Sequence, residues 1–116
     1  MENQGLNLFG EKFMKEVRDA SFKKMQWLKD GQAKAPAALL LQEQLKRFTD
    51  EEQAFIFRLI KESVDETIFN TLFFFEENQE AIEISVEGQS LVELSDGLAG
   101  ELFSEDGWIA KYSEVD

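Results

Sequence analysis

The residues with the most chemical capacity lie between Asp96 and Gly107, DGLAGELFSEDG, where four carboxylates (Asp96, Glu101, Glu105 and Asp106) alternate with three glycines. Leu98, Leu102 and Phe103 give this loop an apolar underside. Two chemistries fit such a loop. Asp96-Gly97 and Asp106-Gly107 can be plain turns with a solvated Glu101 between them. Alternatively the four acids line a surface that grips a cation or a basic partner. Hard cations take oxygen ligands, but the spacing does not match an EF-hand. Gly97-Leu98-Ala99-Gly100 has the form of the loop that clamps RNA backbone in KH domains, yet the surrounding acids repel phosphate.

Other pairings are weaker. Asp65 and Glu66 are adjacent on a helical pattern and point about 100° apart, so one small site does not easily hold both. Pairing of one of them with Lys61 or Lys111, the other facing solvent, is the simpler expectation. As acid and base of a glycosidase these carboxylates lack an accompanying cluster of sugar-stacking aromatics. Lys111 and Ser113 share a face if they lie on a strand, but nothing marks an oxyanion hole. The chain has no His and no Cys. That removes the usual base near neutral pH, thiolate nucleophiles, disulfides and Cys-based zinc sites. No catalytic residue, metal site or cofactor is therefore assigned.

Charge is segregated along the chain. Residues 1–48 carry nine basic and six acidic residues, and residues 49–116 carry three basic and eighteen acidic, within a total of −12. The acidic half repels nucleic acid and anionic membrane and attracts basic surfaces; solubility alone is the competing explanation. The opening residues lack the regions of a signal peptide and no apolar run approaches the ~20 residues of a membrane span, so a cytoplasmic protein is expected.

The element that must position these groups is Thr49–Phe75. Ile56, Ile60, Val64, Ile68 and Leu72 recur every four residues, with Phe55, Leu59 and Phe69 widening the row, which predicts a long helix laid on a core. Thr49 with Glu52 predicts a capping box at its start, where Asp50 and Glu51 also suit the dipole. Residues 6–30 predict a first helix with Phe9, Phe13, Val17, Ala20, Met25 and Leu28 inward and Arg18 on the remaining faces; Gly10 moves its regular part toward Glu11. Trp27 is expected half-buried. Pro36 opens a second helix with Leu40, Leu41, Leu45 and Phe48 inward. After Phe75, the alternation of Ile82, Ile84 and Val86 predicts a strand. A II′ turn at Gly88-Gln89, a partner strand SLVELS and a third strand WIAKYS then complete a meander.

Two segments, VDETIFNTLFFFEE (64–77) and SDGLAGELFSEDGWIAKYSE (95–114), resemble small bacterial proteins in which a V-D-x-[TS]-[LI] helix precedes an S-D-G-L-x-G-E-L loop and a G-W-I-x-[RK]-[FY]-S segment. The resemblance covers residues 64–113; Asp65, Asp96, Gly97, Gly100, Glu101, Gly107, Trp108 and Tyr112 are the matching positions. It implies a shared fold and brings no activity with it. One physical idea joins those positions: Asp65 holds the loop by accepting backbone amides while Trp108 packs beneath. In size, acidity and lack of catalytic groups the chain is similar to immunity proteins that neutralise a toxin of a neighbouring cell.

The expectation is a single α+β domain spanning residues 1–116, about three N-terminal helices on a three-stranded antiparallel meander. It is not an enzyme and binds a basic partner protein, in the manner of an immunity or regulatory protein. Its binding surface would draw on Asp65, Asp96, Glu101, Glu105, Asp106, Trp108 and Tyr112. The alternative is a small hydrolase or a divalent-ion or ligand-binding domain using Asp65 and Glu101. A homodimer sealed by Phe73–Phe75 or by the first helix is a third reading, because eleven Phe are many for one small core.

Overall fold

The computed structural model describes residues 4–115. The chain begins with a rod made of α1 (Gln4–Phe13), a π-helical stretch at Met14–Asp19, and α2 (Ala20–Lys29), without a break in the helix. One turn along it, Lys15 donates to Glu11 at 2.8 Å, which lowers the carboxyl's pKa and raises the ammonium's. Next come α3 (Pro36–Leu45) and the long α4 (Asp50–Glu77). A two-residue hairpin, β1 (Ser85–Val86) with β2 (Gln89–Ser90), follows. Two short 3-10 turns (Val92–Leu94 and Leu98–Glu101) and α5 (Trp108–Tyr112) complete the chain. The fold is thus mostly helical, with a small antiparallel ribbon.

The start of α4 obeys its sequence. Thr49 Oγ1 accepts from the Glu52 amide at 3.1 Å and Glu52 Oε1 accepts from the Thr49 amide at 2.9 Å, so two amides left free at the helix start are satisfied reciprocally. Pro36 sits at the first turn of α3, where its missing N–H costs nothing.

The expected meander is not formed. β1 and β2 pair antiparallel with Ser85 opposite Ser90 and Val86 opposite Gln89. The turn residues are therefore Glu87 and Gly88, both at positive φ (52° and 84°), which makes a type I′ turn one residue earlier than the II′ turn expected. After Ser90 the chain coils into a 3-10 turn instead of extending a strand. The third strand is also absent: WIAKY forms α5. Trp108, Ile109 and Tyr112 are its inward positions, a spacing of i, i+1, i+4 that only a helix presents on one face, and Ala110 is exposed.

The core lies at one end of the molecule. Leu6 and Met14 of the first rod, Ile68 and Leu72 of α4, and Leu91, Leu98, Leu102 and Trp108 of the C-terminal segment form one buried cluster. Only the second half of α4 touches it, because the buried residues of that helix are Asp65, Ile68 and Leu72. The first half, with α2 and α3, extends away as a thinner arm in which Phe55 and Leu59 stand exposed. Extents of 48 × 29 × 22 Å and a radius of gyration of 17.0 Å record this; a compact chain of this length would give about 13 Å.

On α3 the inward face differs from the expected one. Leu40 and Leu41 are 61% and 57% exposed and Phe48 is exposed, whereas Gln42 is buried and accepts the Ala33 amide at 2.8 Å. The backbone of the 30–35 connector needs that acceptor, and satisfying a buried amide outweighs covering one leucine. On the first rod, Val17 is exposed while Met14, Arg18 and Asp19 are buried. The π stretch adds a residue to the turn and rotates the inward face away from Val17. Ala20 likewise faces solvent, while Trp27 is half-buried under Lys24, 5.8 Å from its ring. Gly10 does not delay the helix. A Cβ there would come within 2.5 Å of the Trp108 indole, so the glycine is the space into which that ring packs.

Candidate functional site

Among the sequence-derived positions, Asp65 makes contacts different from those expected. It is buried on α4 and accepts from the Arg18 guanidinium twice, Nε to Oδ1 at 2.6 Å and Nη2 to Oδ2 at 3.1 Å. Lys61, one turn earlier, lies 3.9 Å from Oδ2. Arg18, 0% exposed, extends the network by donating Nη1 to Ser113 Oγ at 2.6 Å and to the Val115 carbonyl. Ser113 Oγ in turn donates to Asp19 Oδ1 at 2.5 Å, and the Glu114 amide donates to Asp19 Oδ2 at 3.0 Å. A bidentate, largely buried Arg–carboxylate pair thus fastens the first rod, α4 and the 113–115 segment together. Sequence reasoning put Arg18 on a solvent face and missed Asp19 and Ser113. The π-helical stretch at Met14–Asp19 turns Arg18 and Asp19 inward, and nothing in the residue pattern announces it.

The 95–107 loop is held by a different acid. Glu76, near the end of α4, accepts the Ala99 amide at 2.9 Å through Oε1, at the start of the second 3-10 turn. Glu101 is half-buried and accepts from Ser95 Oγ at 2.6 Å, and the Gly97 amide donates to the same hydroxyl at 3.1 Å. Asp65 therefore does not clamp this loop. Of its three glycines, only Gly107 needs to lack a side chain: a Cβ there would meet the Leu102 and Glu101 carbonyl oxygens at 2.6 and 2.8 Å, whereas Gly97 and Gly100 face open space.

The predicted positions disperse. Trp108 is 1% exposed and belongs to the core, where Phe9 packs 5.7 Å from it. Tyr112 is half-buried, with Lys111 5.5 Å from its ring. Asp96, Glu105 and Asp106 are exposed. Asp65 and Glu101, the pair that a hydrolase would use, belong to separate hydrogen-bond networks. Among the described residues, no three carboxylates stand in an arrangement that could hold a metal ion.

Two of the predicted acids do come together. A cleft of about 570 Å³ runs between α4 and the turn before α5, and Glu62, Asp65, Glu66 and Glu105 all line it. Arg18 and Lys61 also line it and both lie against Asp65, the lysine at 3.9 Å, while Glu62, Glu66 and Glu105 are exposed. Phe103, 56% exposed, forms the rim. Its ring stacks on Phe69 at 6.0 Å, and Phe69 stacks on the exposed Phe73 at 6.4 Å, which continues the rim as an aromatic ridge along α4. Carboxylates beside exposed ring faces suit cationic side chains, which gain from both.

Comparison with protein-family profiles, with curated protein sequences and with solved structures yields no match to this chain. Among the described residues, no helix is long and apolar enough to cross a membrane.

Proposed function

We propose that this chain is a non-catalytic binding domain whose acidic cleft takes a basic segment of a partner protein, in the manner of an immunity or regulatory protein. The observation that carries the reading is the juxtaposition of Glu62, Glu66 and Glu105 with the Phe103–Phe69–Phe73 ridge. An Arg or Lys of the partner would set its charge among the carboxylates and its stem along the rings. Phe103 has the size and exposure of an anchor residue, and the acids around it would steer the encounter and fix its register. The −12 net charge adds long-range attraction for basic surfaces.

The test is calorimetric titration with nona-arginine at low and physiological salt. The reading expects saturable binding at one site per chain, weakened about tenfold or more by Phe103→Ala and by combined Glu62→Gln, Glu66→Gln and Glu105→Gln. Binding that is unchanged in both variants would refute it.

A further inference from the structure

A second cleft lies on the other side of the Arg18–Asp65 pair, between α2 and the first half of α4. It encloses about 550 Å³, within the range of cavities that hold small ligands. Its apolar walls are Phe22 and Met25 from α2 and Phe57 and Ile60 from α4. On the α2 side it runs from Asp19 to Lys29, about 15 Å of helix. At the Asp19 end it is stopped by Glu114 and Val115, which Asp19 and Arg18 hold in place.

The charge around this cleft is opposite to that of the molecule. Lys23, Lys29, Arg58 and Lys61 line it, four of the chain's twelve basic residues, against Asp19 and Glu114, two of its twenty-four acidic ones. Both acids lie at the stopped end. Asp19 is occupied there by Ser113 Oγ and the Glu114 amide. Lys29 and Arg58 flank the far end, where the Lys29 ammonium sits 5.6 Å from the Phe57 ring centroid. An apolar trough closed at one end, with Lys29 and Arg58 toward its mouth and Lys23 and Lys61 nearer the stop, matches a molecule that has an apolar tail and an anionic head.

From this geometry we infer a binding site for a single-chain anionic amphiphile, of which a fatty carboxylate is the representative: tail along Phe22, Met25, Phe57 and Ile60, head at Lys29 and Arg58. A helix of a partner protein fits less well, because the stop at Val115 interrupts the trough that a continuous helix would need. The site shares Lys61 with the acidic cleft but does not depend on the function proposed for it.

The probes are dodecanoate, dodecyltrimethylammonium and dodecanol below their aggregation limits, titrated into the full chain by calorimetry. Dodecanoate is expected to bind once per chain in the micromolar range, and the cationic amphiphile at least tenfold more weakly despite the negative charge of the protein. Lys29→Gln with Arg58→Gln should weaken dodecanoate about tenfold and leave dodecanol unchanged. Ala54→Trp, which fills the exposed mouth without touching the core, should abolish binding of both and leave the melting temperature and circular dichroism unchanged. The inference is overturned if the cationic and anionic amphiphiles bind equally, if the Lys29 and Arg58 changes have no effect, or if Ala54→Trp folds normally and still binds. Sedimentation with phosphatidylglycerol vesicles in the absence of dodecanoate binding would also overturn it, in favour of a membrane-surface contact.

Discussion

Replacing Asp65 by Asn tests how the molecule is held together. The change keeps the shape of the side chain and one acceptor for Arg18 Nε, but turns the other oxygen into an NH₂ that faces the Nη2 donor, now 3.1 Å away. It also removes the carboxylate charge to which the buried guanidinium donates through Nε and Nη2. Removing one member of a buried ion pair costs about 3–5 kcal/mol. The lower end applies here, since Asp19 still reaches the same guanidinium through Ser113, so about 3 kcal/mol is expected. With an unfolding entropy of about 2.1 cal/mol/K per residue, a chain of this length loses about 4 °C per kcal/mol, giving a fall of about 12 °C in melting temperature. Thermal and urea unfolding followed by circular dichroism measure this. Hydrogen exchange should show the Glu114 amide losing protection, because its acceptor Asp19 shares the network. Arg18→Met combined with Asp65→Leu should not recover the loss, because it takes the guanidinium away from the buried Asp19 carboxylate and the Val115 carbonyl. A loss below about 1 kcal/mol for Asp65→Asn, with Glu114 still protected, would show that the pair does not hold the 113–115 segment.

Gly10→Ala should destabilise by about 1–2 kcal/mol, since overpacking against Trp108 outweighs the helix propensity gained; a stabilised variant would mean that the indole is not fixed there. Glu76→Ala should cost about 1.5 kcal/mol and expose the Ala99 amide to exchange, while leaving the 113–115 segment protected. If instead the loop keeps its protection, Glu76 is not what holds it. Leu40→Lys with Leu41→Lys should change stability by no more than about 0.5 kcal/mol per site, as their exposure implies. A larger loss that depends on protein concentration in sedimentation would reveal a homodimer burying α3.

What the sequence disclosed depended on whether one local rule governed the segment. The capping box at Thr49 and Glu52 and the opening of α3 at Pro36 are local, and both are found as the pattern predicts. The long helix of α4 is equally legible, but which half of it meets the core is not. Ile56 and Ile60 have the same spacing as Ile68 and Leu72, and only the position of the C-terminal segment decides between them. WIAKY offers Trp108, Ala110 and Tyr112 to a strand and Trp108, Ile109 and Tyr112 to a helix. The half-burial of Ile109 in place of Ala110 fits the helix, and among the described residues no strand pairs with this segment to favour the alternative. The candidate site was legible as chemistry and not as geometry. Asp65 and Glu105 share a cleft, but Trp108 belongs to the core and Glu101 to a turn. Arg18 was hidden because a basic residue in a helix is ordinarily placed in solvent, and the π turn that brings it inward leaves no mark in composition.

The function proposed here depends on where the acids stand, not on how many there are. Nona-arginine affinity should therefore be compared between two variants of equal net charge, one carrying Glu62→Gln, Glu66→Gln and Glu105→Gln, the other Glu77→Gln, Glu80→Gln and Glu83→Gln, which lie on exposed positions away from the cleft. The account predicts that the first loses at least tenfold in affinity and that the second stays within about twofold of the unmodified chain. Equal losses in the two variants would mean that only total charge matters, and would contradict a specific basic partner at this cleft.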